Sequence, residues 1–125
     1  MIGLIVTALA AAVTFSSQRP APVVLNENAT FNGYIESETS TRVHSLRIYE
    51  NVSRIHLVLN CPGGDFDLYG RWGELPSTSV YDFRGFENGG EDFHYDDPEP
   101  GIWHLMVNPY SGFGHYDLFI EFEYE

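Results

Sequence analysis

From Leu25 onward, apolar and polar residues alternate with a period of two, the mark of half-buried β-strands. Strands are predicted over residues 30–36, 43–49, 52–60, 66–72, 78–83, 93–95, 102–108 and 115–124. Phe31 and Ile35 share a face in the first, Leu46 and Ile48 in the second, and Ile55, Leu57 and Leu59 in the third. In the fourth, Phe66 and Leu68 point one way, and Asp65, Asp67 and Tyr69 the other. Trp103, Leu105 and Val107 oppose His104, Met106 and Asn108. Alternation is cleanest at the end, where Tyr116, Leu118, Ile120, Phe122 and Tyr124 face away from Asp117, Glu121 and Glu123. One buried and one wet face per strand implies antiparallel sheets. Turn signals punctuate the runs: Pro62-Gly63-Gly64, the acidic glycine-bearing stretch 87–92, the Pro- and Gly-bearing 96–101, and the loop 109–114. About eight short strands at this spacing predict an all-β, antiparallel, jelly-roll-like β-sandwich. There is no internal repeat, and no helical period outside the N-terminal arm.

The chain's 125 residues fit one domain. Eighteen acids against six arginines and no lysine give a net charge of -12. That argues against nucleic acid and anionic membranes, which need clustered cations, and suits divalent cations or a plain solvated acidic surface. Nine Phe, eight Tyr and two Trp suit strands and a compact core. The single cysteine, Cys61, rules out an intrachain disulfide and reads as a small semi-buried hydrophobe.

Residues 1–24 form an apolar arm and a Pro-rich linker; residues 25–125 form the sandwich. The run 2–13 is too short to span a bilayer as a helix, so no transmembrane span is expected. Two readings of the arm stand. Ala8-Leu9-Ala10 and Ala10-Ala11-Ala12 suit signal-peptide cleavage, although no basic residue precedes Arg19. Alternatively, Leu4, Ile5, Val6, Leu9, Val13 and Phe15 make an extended arm apolar on both faces, suited to insertion into a neighbouring subunit as a donor strand. Arg19-Pro20-Ala21-Pro22 is then an extended spacer.

Candidate chemistry is sparse. Asp65 and Asp67 lie one pleat repeat apart, close enough to share a hard cation. Glu91, Asp92, Asp96 and Asp97 extend the candidate Ca2+ ligand set from the two acidic loops; solvated acids and a capped turn are the plain alternative. Five histidines show no H-x-H or H-E-x-x-H spacing, which argues against zinc. No serine has a nucleophile-elbow context, so an enzyme is not expected. Asn28 and Asn51 begin N-x-[ST] sequons and are glycosylation candidates. Tyr69, Trp72, Tyr81 and Tyr110 are candidates for an aromatic polymer-binding patch, with core packing as the alternative.

Asp65-Phe66-Asp67-Leu68-Tyr69, the stretch 91–95, Pro100-Gly101-Ile102-Trp103-His104-Leu105-Met106-Val107, and Tyr116-Asp117-Leu118 together resemble the bacterial pre-peptidase C-terminal (PPC) domain. The resemblance covers residues 25–125 and rests on the order and spacing of motifs that are weak singly. It implies a secreted jelly-roll-like sandwich appended to exported enzymes. The related collagen-binding domains of collagenases imply Ca2+ near the linker, where Asn26, Glu27 and Asn28 lie, and substrate gripped by aromatic strand faces. No peptidase precedes the domain here, so the leading expectation is a secreted, non-catalytic, self-assembling subunit, a homo-oligomer or filament built through the arm. The alternative is a monomeric secreted module that binds an extracellular polymer.

Overall fold

The structure, a computed structural model, describes residues 28–125. Eight strands follow in order: β1 (Ala29–Ile35), β2 (Arg42–Ile48), β3 (Val52–Asn60), β4 (Gly64–Trp72), β5 (Phe83–Gly85), β6 (Glu91–Asp96), β7 (Gly101–Gly112) and β8 (Gly114–Tyr124). They form two four-stranded sheets, β1-β8-β3-β6 and β2-β7-β4-β5, and every neighbouring pair is antiparallel. Apart from β4 and β5, consecutive strands belong to different sheets. That is the jelly-roll order expected from the strand pattern. Among the described residues no helix is long and apolar enough to cross a membrane.

The core lies between the sheets. Ile55, Leu57, Leu59, Leu118 and Ile120 from one sheet meet Phe66, Leu68, Trp103, Leu105 and Val107 from the other, all buried. Phe83 stacks on Trp103 with centroids 5.7 Å apart and packs at 4.8 Å against Tyr95. The polar tips of the large aromatics are satisfied, as burial requires. The Trp103 indole donates to the Glu99 carbonyl at 2.7 Å, and the Tyr116 hydroxyl is 2.5 Å from His44 Nε2. Two crossovers between the sheets, β3 to β4 and β7 to β8, touch backbone to backbone. A Cβ on Gly112, which has φ +83°, would come within 2.7 Å of Gly64 Cα. Only glycine allows that approach in that conformation.

Three expectations need correction. The strand expected over residues 78–83 begins only at Phe83. The Ser77 hydroxyl accepts the amides of Ser79 and Val80 at 3.2 and 3.0 Å, and Asp82 Oδ2 accepts that of Trp72 at 2.8 Å. Such local side-chain bonds draw the backbone away from a ladder. The loop expected over 109–114 is mostly strand, because β7 runs to Gly112. A register shift between Asp65 and Phe66 lets Pro109 pair opposite Phe66, the bulge that tolerates a proline in a sheet. Third, the outer face of β4 is not wet: Asp67 is 4% and Tyr69 2% exposed.

Candidate functional site

What covers the outer face of β4 is the most developed feature of the surface. β5 pairs Arg84 beside Tyr69, and β7 pairs Met106 on its other side. The guanidinium of Arg84 lies 4.5 Å from the ring centroid of Phe86 and 5.3 Å from that of Tyr69. Its Nη2 is 3.6 Å from Asp67 Oδ2. Tyr81 meets Tyr69 edge to face at 5.3 Å. The inner members are buried, whereas Tyr81 is 40% and Phe86 65% exposed. The result is two exposed rings braced against a cation, itself braced from below by a carboxylate and a buried phenol. Cation–π contact and the Asp67 charge together hold the guanidinium in place. Burial raises the Asp67 carboxyl above its ordinary range, and Arg84 opposes that rise. Burial likewise raises the Tyr69 phenol.

Beside this cluster lies a buried acid. Glu91, 3% exposed, points inward from β6. Its Oε1 accepts the Glu87 amide at 3.1 Å, while Oε2 is buried without a partner. Burial first, then Asp67, Glu87 and Asp65, push its pKa up to about 7. Gly89 ties the loop before β6 to β4. Its amide donates to Asp65 Oδ1 at 3.1 Å, and its carbonyl accepts from the Phe66 amide at 3.1 Å and the Cys61 thiol at 3.2 Å.

The six candidate calcium ligands therefore do not converge. Asp65, Asp67 and Glu91 sit near one another, but Asp65 holds an amide and Asp67 holds Arg84. Asp92 and Asp96 project from the opposite face of β6, toward His56 and Arg54. Asp97 lies in the turn after β6, its amide bonded to the Ser53 carbonyl at 2.7 Å. Among the described residues no three His, Cys, Asp or Glu side chains are arranged to hold a metal. Asn26, Glu27 and the arm residues Leu4, Ile5, Val6, Leu9, Val13 and Phe15 lie outside the described residues.

The four aromatic candidates separate too. Tyr69 and Tyr81 come together as described. Trp72, 48% exposed, caps the other end of β4, its indole donating to the Pro100 carbonyl at 3.0 Å. Tyr110, 74% exposed, sits near the opposite end of β7, about 23 Å away at the rise of a strand. They do not form one patch. Both sequon residues, Asn28 and Asn51, are exposed. Arg84 and Phe86 were not among the candidates, since they follow a predicted strand end; the signal available was an arginine flanked by aromatics, Phe83-Arg84-Gly85-Phe86.

No family model matches the chain. Its fold is that of an eight-stranded jelly-roll module. More particularly, it is the fold of a PPC domain: the pre-peptidase C-terminal domain of a collagenase from Bacillus anthracis matches with a TM-score of 0.59 and 22% identity, over 83% of this chain and 99% of that one. PliG of Aeromonas hydrophila, a periplasmic inhibitor of g-type lysozyme, matches with a TM-score of 0.59 and 11% identity, over 78% of this chain and 88% of that one. Among curated proteins, a 50-residue stretch is 36% identical to xanthomonalisin of Xanthomonas sp. (strain T-22), covering 39% of this chain and 6% of that protein's length.

Proposed function

We propose that the chain is an exported, non-catalytic PPC-like module that binds an extracellular polymer, protein or polysaccharide, through the outer face of the β2-β7-β4-β5 sheet. The observation that carries this is the pair of exposed rings, Tyr81 and Phe86, around a guanidinium fixed by Asp67 and Tyr69. A rigid aromatic surface loses little entropy when a ligand stacks on it, and burial of an arginine and aromatics is how few residues supply most of a binding energy. Further support is that one structural relative is a domain of a collagenase and another is a periplasmic inhibitor. The test is retention of the full chain on collagen, chitin and bacterial cell-wall material, beside a Tyr81→Ala/Phe86→Ala variant with an unchanged circular dichroism spectrum. Retention of the parent on one material and loss in the variant supports the reading. Equal retention of both, or retention of neither on any material, removes it.

A second reading makes the chain a self-assembling subunit whose arm completes a neighbour's sheet. It is supported by β1 and β2 being edge strands, which present unpaired backbone for strand addition. Deletion of residues 1–17 then abolishes polymers and leaves a soluble fold; polymers unchanged by the deletion end it. Calcium enters only as an aid to stability, and an equal Tm in CaCl2 and in EDTA removes it.

A further inference from the structure

The loop 86–90, between β5 and β6, carries Phe86, which lies exposed on the guanidinium of Arg84. The loop is fastened along its length. Its Glu87 amide donates to Glu91 Oε1. The amide and carbonyl of Gly89 are held by Asp65 Oδ1 and the Phe66 amide, both of β4. Gly90 lies flush on β3, where a Cβ would overlap the Leu59 carbonyl. The first of these fastenings is made by a buried carboxyl, and its strength depends on whether that carboxyl keeps its proton.

The surroundings of Glu91 decide which form fits. β4 presents Asp65 and Asp67, the loop presents Glu87, and the turn between β3 and β4 presents the Cys61 thiol. From β5 comes Gly85, on which a Cβ would stand 2.7 Å from Glu91 Oε1. Arg84, one residue earlier, points to the other side of that strand, at Asp67. β3 and β6 add Leu59 and Phe93, which are apolar. None of these groups is a cation, and Oε2 is buried without a partner. A neutral carboxyl here leaves one hydroxyl unpaired. A carboxylate leaves a charge unpaired among like charges, which costs far more. Burial above all raises the Glu91 pKa to about 7. The ionised group reaches water only by leaving the position from which it holds Glu87.

We propose that Glu91 is a proton-operated latch on the loop 86–90: protonated, it holds the loop down on β4; ionised, it releases the loop and lets Phe86 lift from Arg84. With the loop released, Glu91 is solvated and titrates at the ordinary 4.5. Each pH unit between 4.5 and about 7 therefore favours release tenfold, and the effect levels off above 7. The latch closes in acid and loosens toward neutral pH. It thereby regulates the binding face proposed above, and its effect on binding rests on that reading; the opening of the loop does not.

The experiment is amide exchange of the full chain, followed by NMR from pH 5 to pH 8 in the parent and in Glu91→Gln. Rates are expressed as protection factors, which removes the intrinsic effect of pH. In the parent, protection of the Glu87 and Gly89 amides is expected to fall on the order of fiftyfold across that range, and to lie well below that of Leu57 in β3 throughout. In Glu91→Gln it stays constant. Protection of the two loop amides that is level with pH in the parent overturns the proposal. So does a fall of equal size in the variant. So does protection that matches Leu57, since the loop would then be freed only by unfolding of the whole sandwich. The first and last of these are read on the parent alone. Exchange is measured without any polymer, so failure of the binding reading leaves the latch standing, and failure of the latch leaves retention as it was.

Discussion

The sandwich has two outer faces, and they are built on opposite terms. On the β1-β8-β3-β6 sheet the outward side chains form rows of opposite charges, Glu121-His56-Asp92 and Glu123-Arg54-Asp96, standing in water. On the β2-β7-β4-β5 sheet the outward side chains at the middle of β4 are roofed: Asp67 and Tyr69 are as dry as core residues beneath Arg84, Tyr81 and Phe86. A charged row in solvent contributes little to stability, so losing one of its charges hardly disturbs the fold. A roofed aromatic cluster cannot lose its inner members without opening a cavity. The first face therefore tolerates substitution, whereas the second depends on its packing.

Substitutions can break that contrast. Tyr69→Ala, though on an outer face, should cost about 3 kcal/mol in urea unfolding, as a core truncation does. A loss near that of an exposed residue would mean the roof is not packed. Arg84→Ala leaves the Asp67 carboxylate under the roof without its partner and should cost about 2 kcal/mol, less than a fully buried pair because the guanidinium is a third exposed. Adding Asp67→Asn should recover part of the loss; no recovery would assign the cost to lost ring contacts.

Glu91→Gln acts through pH. The folded-state pKa near 7 lies above the ordinary 4.5, so the folded protein holds a proton that the unfolded chain has lost. Stability contributed by the neutral acid is present below pH 4.5 and is lost as pH rises toward 7. The variant should be more stable than the parent at pH 8, by about 1–2 kcal/mol, with the difference shrinking toward pH 5. Parallel stability–pH curves would show that Glu91 is ionised and solvated. The smallest effect belongs to the charged face: Asp96→Asn should leave the melting temperature within error in moderate salt. A clear drop would mean that row is structural.

Much of the fold was legible in the residues. Period-two alternation placed β3 at its observed bounds, and β1, β2, β4 and β8 nearly so, because half-buried strands must alternate. Alternation also carried Tyr116, Leu118 and Ile120 inward. It did not reveal the short β5, where serine and aspartate side chains take up the backbone before Phe83, nor the continuation of β7 through Pro109, which depends on a bulge made with β4. The site was less legible. Asp67 and Tyr69 were read as facing outward, which is correct, and as wet, which is not. Period two gives the side of a strand, not what lies over it, and the roof comes from Arg84 and Phe86 on an edge strand and its loop. Likewise Asp92 and Glu91, neighbours in sequence and grouped as ligands, are split by the pleat onto opposite faces.

The pairing of β1 with β8 has a mechanical consequence. Ala29 lies opposite Ile120 and Ile35 opposite Gly114, so β1 enters the sandwich at the end where β8 leaves it. A pull applied to those two ends loads the ladder from its edge and opens its bonds one after another, as in unzipping, instead of straining them together in shear. β8 stays in place because β3 grips its other side from Val52 to Asn60. Under tension the module would first peel β1, releasing roughly 24 Å of chain at the rise of a strand, while both outer faces keep their shape. It is a joint that lengthens at low force.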